Sequence, residues 1–294
     1  MGRLLFALGL CVAACTPNFQ SASQVTDLRI LAMQVDPPEA LVDLDAGTVQ
    51  EVRLNVLVAD PAARAEGVMK GGLCFPTDNL KCSLDPRQTS LLPTLTQPVG
   101  QIFSYDLRLP AGALSAALQN DKLKGLGGIR VQSTLEVTDG DPRISVGGSK
   151  LLLFNAAAPG YLPNHNPVLS GLLLSTSDGK PVRTLTPGQL LSVQTGVAMG
   201  ILPLHTADQS ESYCTTDLTG KKTCLTELLS YSFFSTLPGD LDEDSAYDPL
   251  PGYPLPPSGL VRFTALAPGT GTLWIVVRDG RGGESWLSFD WTAN

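Results

Sequence analysis

Acidic side chains are concentrated between residues 240 and 248. The members of this acidic run are Asp240, Asp242, Glu243, Asp244 and Asp248. Alternate carboxylates suit calcium, a hard cation that takes six to eight oxygen ligands. The EF-hand pattern fails here, because Ser245 stands where that loop needs glycine and Pro251 where it needs glutamate. We expect an exposed charged loop, with a calcium site at Asp240, Asp242, Asp244 and Asp248 as the alternative.

Four of the six cysteines form two close pairs, Cys74 with Cys82 and Cys214 with Cys224. Structural zinc pairs are usually separated by two to four residues, and both intervals here are longer. In an exported chain two local disulfides are the economical assignment, and four buried thiols are the alternative. The spacing therefore predicts two short loops closed by disulfides rather than a metal centre.

Signatures of catalysis are scarce in this sequence. The two histidines, His165 and His205, are forty residues apart, which makes a histidine-centred nucleophile or zinc site hard to assemble. Ser177 and Lys180 have the spacing of a serine nucleophile and its lysine, but the intervening Asp-Gly is typical of a turn. We expect no enzyme. A hydrolase that uses two converging carboxylates is the residual hypothesis, because such residues can be distant in sequence.

The first fifteen residues have the pattern of a secretory signal. Arg3 precedes an apolar run from Leu4 to Val12, and small residues follow before Cys15. A membrane-spanning helix needs about 20 apolar residues, and this run is too short. We therefore expect residues 1–14 to be removed as a signal peptide, together with Cys11.

The segment Val12-Ala13-Ala14-Cys15 resembles the lipobox of bacterial lipoproteins. In that class the cysteine is acylated and becomes the mature N-terminus, so the resemblance implies lipidation of Cys15 and stable membrane attachment through more than one acyl chain. The residue after the cysteine is Thr16 rather than aspartate, and in this respect the chain resembles lipoproteins sent to the outer membrane of Gram-negative bacteria. The sequence does not indicate whether the protein would face the periplasm or the cell surface. Residues 15–26 would then be a tether. Ordinary signal cleavage, which would give a soluble exported protein, is the alternative.

Overall charge and composition exclude some partners. The chain has 28 acidic and 20 basic residues, a net charge of −8, and no basic cluster longer than Lys221-Lys222. A nucleic-acid partner is therefore not expected. A hydrophobic content of 43% is sufficient for packed cores.

Alternating apolar and polar residues recur throughout the body of the chain and predict short strands. The sharpest signal is the pair Thr272–Arg278 and Glu284–Trp291 around the glycine-rich turn Asp279–Gly283, which predicts a β-hairpin. A helix is expected only over Ala111–Gln119. We predict an all-β protein with two tandem immunoglobulin-like β-sandwiches, at residues 27–157 and 167–294, joined by a proline-containing linker at 158–166.

The second unit resembles bacterial PKD-like and cadherin-like immunoglobulin-type domains. The likeness rests on the start of its first strand, Asn164–Val168, and on its last hairpin, around Val277–Gly283. The whole chain resembles predicted lipoproteins of Gram-negative, myxobacterial type, a resemblance that implies no particular activity.

Aromatic residues of the closing hairpin suggest a possible binding face. Trp274 and Trp286 alternate against the more apolar positions of their strands, so we expect them to point outward, with Tyr253 on a nearby proline-rich segment. The principal expectation is a non-enzymatic outer-membrane lipoprotein with a structural or protein-interaction role. A carbohydrate- or peptidoglycan-binding module that uses these tryptophans is the alternative, and capping of the core or packing against the insert at 202–225 would explain them without a ligand.

Overall fold

The computed structural model describes residues 21–294 except 44, 47, 50, 63–65, 76–88, 99–101, 108, 110, 142, 157–160, 218 and 249–259. Within these residues the protein is almost entirely β-structure, with one α-helix, α1, at Ala111–Asn120. The all-β prediction is therefore confirmed. None of the helices in this described part has the length and hydropathy that a membrane span requires.

The first half forms two facing sheets. Their strands are β2 (Arg29–Asp36), β3 (Glu39–Asp43), β4 (Thr48–Val49), β5 (Val52–Ala59), β6 (Gly67–Cys74), β7 (Thr89–Leu91), β8 (Leu95–Gln97), β9 (Ile102–Leu107), β10 (Ile129–Thr138) and β11 (Ser145–Ala156). One sheet has the order β2-β5-β9 and the other β4-β3-β11-β10-β6-β7, with β8 also on β6. Alternating side chains of both sheets meet in one hydrophobic core that extends from Leu28 to Phe154.

The second half repeats this arrangement. Its strands are β12 (Gly171–Thr176), β13 (Pro181–Leu185), β14 (Leu191–Val193), β15 (Met199–Leu204), β16 (Ser212–Thr216), β17 (Lys222–Thr226), β18 (Ser230–Thr236), β19 (Gly239–Leu241), β20 (Ser245–Tyr247), β21 (Val261–Ala265), β22 (Gly269–Arg278) and β23 (Glu284–Ala293). The sheets are β13-β12-β15-β21-β19 and β18-β22-β23-β14, with β20 on β18 and a separate hairpin β16-β17. A second core extends from Leu169 to Ala293.

The strand order identifies both sandwiches as immunoglobulin-like. In the second half β12-β15-β21-β19 corresponds to the A-B-E-D sheet, and β18-β22-β23 corresponds to C-F-G. In the first half β2-β5-β9 corresponds to A-B-E, and β6-β10-β11 to C-F-G. In each half a strand that lies between A and B in sequence belongs to the other sheet and pairs in parallel with the last strand, β3 with β11 and β14 with β23.

Several predicted boundaries differ from the structure. The apolar and aromatic stretch 225–236 could be taken from its composition for one strand, but it contributes to two, β17 and β18, because residues 227–229 leave the ladder between them. The predicted hairpin is present as β22 and β23 and is longer than expected. The tether predicted for residues 15–26 does not continue to residue 26. Gln24–Val25 forms a strand, β1, and Val25 is fully buried. Residues 15–20 lie outside the described part.

Candidate functional site at the joint between the sandwiches

The two sandwiches pack against each other through the outer faces of one sheet from each. We call this contact the joint. From the N-terminal part it takes small and branched apolar side chains, and from the second sandwich one valine and three aromatic residues. The contributors are Val25, Leu31, Ala32, Leu57, Ala59, Val276, Phe234, Trp274 and Trp286. The joint therefore has a small hydrophobic core of its own, separate from the cores of the two sandwiches.

Strand β1 crosses the joint. It precedes the first sandwich in sequence, yet it pairs in parallel with β18 of the second, with Gln24 opposite Ser235 and Val25 opposite Thr236. The Ser235 amide donates a hydrogen bond to the Ser23 carbonyl at 2.8 Å. The Gln24 side-chain amide donates to the Asp240 carboxylate at 3.2 Å. The N-terminal segment is thus held by the second sandwich before the chain enters the first.

The turn between β22 and β23 positions the charged part of the joint. The Asp279 carboxylate accepts the backbone amides of Arg281 at 2.7 Å and Gly283 at 3.0 Å, which closes the turn. Gly282 has a φ of 113°, a conformation that other residues rarely adopt. A Cβ at Gly283 would lie 2.0 Å from an Asp279 oxygen, so this position also requires glycine. The closed turn directs Arg281 toward the linker and the first sandwich.

Arg281 is the centre of a buried ionic cluster. Its guanidinium lies 3.1 Å from Glu39 of the first sandwich, 2.9 Å from Glu227 and 3.7 Å from Glu211. Its Cζ also lies 4.4 Å from the centre of the Tyr213 ring, a cation–π contact. The Arg281 side chain is 12% exposed, and that of Glu227 is 1% exposed. One arginine therefore joins strand β3, the base of the β16-β17 hairpin and the β22-β23 turn.

The linker is part of the same cluster. The Asn164 amide and the Tyr161 hydroxyl both donate to the Glu39 carboxylate, at 2.9 and 2.7 Å. The Asn164 side chain donates to Asp279 at 2.8 Å, and that of Asn166 donates to the Val35 carbonyl at the same distance. Residues 161–166 thus have defined partners on both sandwiches, whereas the composition of this stretch suggested only a linker.

A second buried ionic group lies at the start of β23. Glu284, whose side chain is 4% exposed, contacts Lys150 of the first sandwich at 2.8 Å and Arg278 at 2.7 Å. Its carboxylate also accepts the Met33 amide at 3.4 Å. Buried charges are tolerated only when they are paired and hydrogen-bonded, and Glu284 has a basic partner on each sandwich, Lys150 on the first and Arg278 on the second.

Burial changes the titration of two carboxyl groups in the cluster. Removal from water raises the pKa of Glu227 to about 7, with a further contribution from the charge of Asp279, while the Glu211 amide and Arg281 oppose the shift. Burial also raises the pKa of Asp279, against its hydrogen bonds from Asn164 and the turn amides. Both pKa shifts come first from burial, so protonation of these carboxyl groups removes a charge that is held away from water.

We expect the protein to lose stability as the pH rises from about 5 to about 7.5. The pKa of Glu227 is about 7 in the folded protein and 4.5 in the unfolded chain, so the folded state binds this proton more tightly. The resulting stabilisation is complete below pH 4.5 and is lost as the pH rises through about 7. A Glu227→Gln variant should reduce this loss by about 1–3 kcal/mol in urea unfolding measured across the range. Exposed Glu136→Gln is the control. An unchanged pH profile in Glu227→Gln would contradict the assignment.

The predicted disulfides fall partly within the described residues. Cys214 and Cys224 lie opposite each other on β16 and β17 and are joined by a disulfide, so this prediction is confirmed. Cys74, at the end of β6, is also disulfide-bonded. Its predicted partner, Cys82, lies outside the described residues, as does Cys15.

The acidic run is not assembled into one ligand set. Asp240 accepts a hydrogen bond from Gln24, and Asp242 pairs with Arg262 at 3.1 Å. Asp248 accepts the Tyr231 hydroxyl at 2.5 Å and contacts His205 at 3.1 Å. The Asp244 carbonyl accepts the Phe233 amide. Across the described residues no group of three or more His, Cys, Asp or Glu side chains is placed to hold a metal ion. Neighbouring carboxylates of the acidic run thus take different partners, and calcium binding there stays a prediction.

Trp274 and Trp286 face away from the core of the second sandwich, as the alternation predicted, but they do not form a free surface. Both pack against the joint cluster. One edge of Trp286 also borders a shallow pocket of about 380 Å³, lined by the 187–190 loop and by Leu287, Ser288 and Asp290. The expected contact face is thus largely a contact within the molecule. Tyr253 lies outside the described residues.

The histidines and the Ser177–Lys180 segment have structural surroundings. His165 contacts Glu211 at 2.8 Å beside the joint. His205 contacts a different carboxylate, that of Asp248, at 3.1 Å. Ser177–Lys180 is the turn between β12 and β13, where Lys180 pairs with Asp178 at 2.8 Å in an exposed position. The structure does not bring the two histidines, this serine and this lysine into one site.

No protein-family model matches the chain, and no curated protein matches it. Solved structures with some likeness include red sea bream transglutaminase (12% identity, 92% of this chain and 32% of that chain, TM-score 0.28). Others are the EC21–23 segment of human CDH23 (10% identity, 92% and 70%, TM-score 0.24) and the D00–D0 domains of intimin (10% identity, 90% and 97%, TM-score 0.22). The chain spans about a third of the length of the transglutaminase. TM-scores this low bear on neither fold nor function, and the fold class rests on the strand order.

Proposed function

We propose that this protein is a non-catalytic lipoprotein of the outer membrane with a structural or protein-interaction role. The observation that carries the proposal is the joint. Two ion pairs, Glu39 with Arg281 and Lys150 with Glu284, connect the sandwiches and exist only when the two units are in contact. A joint of this kind holds two immunoglobulin-like units in one orientation, which suits a part that presents surfaces at a fixed distance from a membrane.

The structure also suits attachment through Cys15. Strand β1 holds Gln24 and Val25 against the second sandwich, so only five residues separate Cys15 from Ser21, the first described residue. Six Cα–Cα steps reach at most about 20–23 Å. A lipid on Cys15 would therefore keep the folded body close to the bilayer, rather than at the end of the longer tether that the sequence suggested.

A Cys15→Ser substitution should release the protein from the membrane. With two or more acyl chains the wild-type protein should remain in the membrane fraction, and the variant should move almost completely to the soluble fraction. Fractionation of cells that express the full-length chain measures this, and the intact mass of the purified protein shows the acyl groups directly.

Cys11→Ser is the matched control, because Cys11 lies within the predicted signal and should not carry the lipid. Separation of the inner and outer membranes on a density gradient tests the outer-membrane assignment. Equal release of wild type and Cys15→Ser, with an unmodified N-terminal residue in the mass spectrum, would favour the soluble exported alternative and refute the proposal.

A further inference from the structure

Three exposed apolar side chains lie together at one end of the second sandwich. They are Val197, Leu237 and Leu266, which are 49, 50 and 58% exposed. Each belongs to a turn that connects two consecutive strands, one in each sheet of the sandwich. The Leu266 amide donates to the Pro238 carbonyl, and the Gly196 amide donates to the Ala265 carbonyl, both at 2.9 Å. These bonds bring the three turns, 194–198, 237–238 and 266–268, into one surface, which we call the apolar pole.

The apolar pole carries no charge in its turns. None of the residues 194–198, 237–238 and 266–268 is Asp, Glu, Lys or Arg, although the chain as a whole has a net charge of −8. The turns also contain Pro238, Ala267 and Pro268, and the last two are exposed. Adjoining uncharged turns that each expose an apolar side chain are a candidate contact site on an otherwise acidic protein.

The N-terminal segment reaches the body of the protein beside this pole. Val25 lies opposite Thr236, the residue before Leu237, and Gln24 is bonded to Asp240 just beyond it. Adjacent strands are about 4.8 Å apart, so β1 lies at the margin of the apolar pole. Cys15 is six residues before Ser21, which limits its distance from Ser21 to about 20–23 Å. The Gln24 backbone amide donates to the Ser21 carbonyl at 3.0 Å, and this turn keeps Ser21 close to β1. The charged end of the joint is at the other end of β22, about 30 Å away.

We infer that the apolar pole rests on the lipid bilayer, with Val197, Leu237 and Leu266 inserted at the level of the headgroups and upper acyl chains. This inference depends on the proposed lipidation of Cys15, which supplies the proximity. The occupant is a lipid surface because the chain's own covalent reach brings that surface, and no other identified partner, to the pole. The absence of basic residues favours uncharged or zwitterionic lipid over recognition of anionic headgroups.

The function of this contact is to orient the molecule. An acyl anchor alone sets a maximum distance from the membrane but leaves the body free to rotate about its attachment. Three inserted side chains beside the attachment point add a second contact and direct the opposite end of the second sandwich, with the joint and the first sandwich, away from the bilayer.

The first test measures binding of the unlipidated protein, Cys15→Ser from residue 15 onward, to phosphatidylcholine vesicles by co-sedimentation. We expect weak partitioning that is insensitive to salt. A triple variant, Val197→Ser, Leu237→Ser and Leu266→Ser, should reduce the partition coefficient roughly tenfold or more because it removes half-exposed apolar area that the bilayer would bury. Because the side chains are exposed, the melting temperature should change little.

Val182→Ser with Leu225→Ser is the matched control. These residues are 58 and 46% exposed on β13 and β17, away from the pole, and their replacement should leave partitioning unchanged. The second test uses the lipidated full protein in phosphatidylcholine nanodiscs. Hydrogen exchange at peptides covering 194–198 and 264–269 should be at least threefold slower than in the unlipidated protein without lipid, and the triple variant should lose this protection.

Three results would overturn the inference. The triple variant could partition as the wild type does, the pole peptides could exchange equally with and without the nanodisc, or the triple substitution could abolish a dimer in sedimentation velocity, which would make a second copy the occupant. The vesicle test does not use the lipid on Cys15. Its failure is therefore distinguishable from failure of the proposed anchoring, which the mass and fractionation experiments measure.

Discussion

Replacing Arg281 with methionine should lower the free energy of unfolding by about 3–5 kcal/mol at pH 7.5. Methionine keeps most of the apolar stem but removes the only cation within 4 Å that is described for Glu227, and with it the partner of Glu39. Both carboxylates would remain buried, and a buried charge without a partner is costly. Urea unfolding followed by circular dichroism measures the effect.

Arg143→Met is the control for this substitution. Arg143 makes an ion pair of 2.7 Å with Asp141, but its side chain is 87% exposed, and exposed pairs contribute little. Its replacement should change stability by less than about 0.5 kcal/mol. The Arg281→Met variant should recover part of its loss at pH 5.5, since protonation removes the uncompensated charge of Glu227. A loss below 1 kcal/mol at pH 7.5 would mean that the cluster does not hold the joint.

Val276→Asp and Val277→Asp should disrupt different parts of the structure, although the two residues are adjacent in sequence. Both are fully buried on β22, but Val276 belongs to the joint cluster and Val277 to the core of the second sandwich. An aspartate at position 277 puts an unpaired charge into that core and should unfold the second sandwich. An aspartate at position 276 can reach water if the sandwiches separate, so the joint should open while both cores survive.

Small-angle scattering and calorimetry distinguish these outcomes. Val276→Asp should increase the radius of gyration and give two thermal transitions in place of one, with the β-sheet circular dichroism retained. Val277→Asp should lose about half of the β-sheet signal. If Val276→Asp unfolded the second sandwich as completely as Val277→Asp does, the joint would be part of that core rather than a separate contact.

The local features of this fold could be predicted from the sequence, because they depend on short-range periodicity. Alternation along 272–278 correctly separated Leu273, Ile275 and Val277 from Trp274, and the glycines between Asp279 and Gly283 marked the turn. The helix predicted over Ala111–Gln119 is α1 at Ala111–Asn120, one residue longer.

The joint could not be predicted because its partners are distant in sequence. Arg281 and Glu39 are separated by 242 residues, and Lys150 and Glu284 by 134. An arginine in a predicted hairpin turn is normally solvated, and nothing near it in sequence indicated that a carboxylate of the first sandwich would bury it. The tryptophans pointed outward as expected, but periodicity within one strand does not identify what covers its outer face.

Strand β1 imposes an order on maturation. Its partners on β18 and β19 lie more than 200 residues later in the chain; Gln24 and Asp240, for example, are 216 apart. If synthesis and export run from the N-terminus, the first sandwich can fold early, but residues 24–25 have no strand to pair with until the second has crossed and formed. If Cys15 is processed as proposed, this interval is the one in which the enzymes would act on it. The late closure of a two-residue strand would thus separate a stage in which the N-terminus is modified from one in which it is fixed.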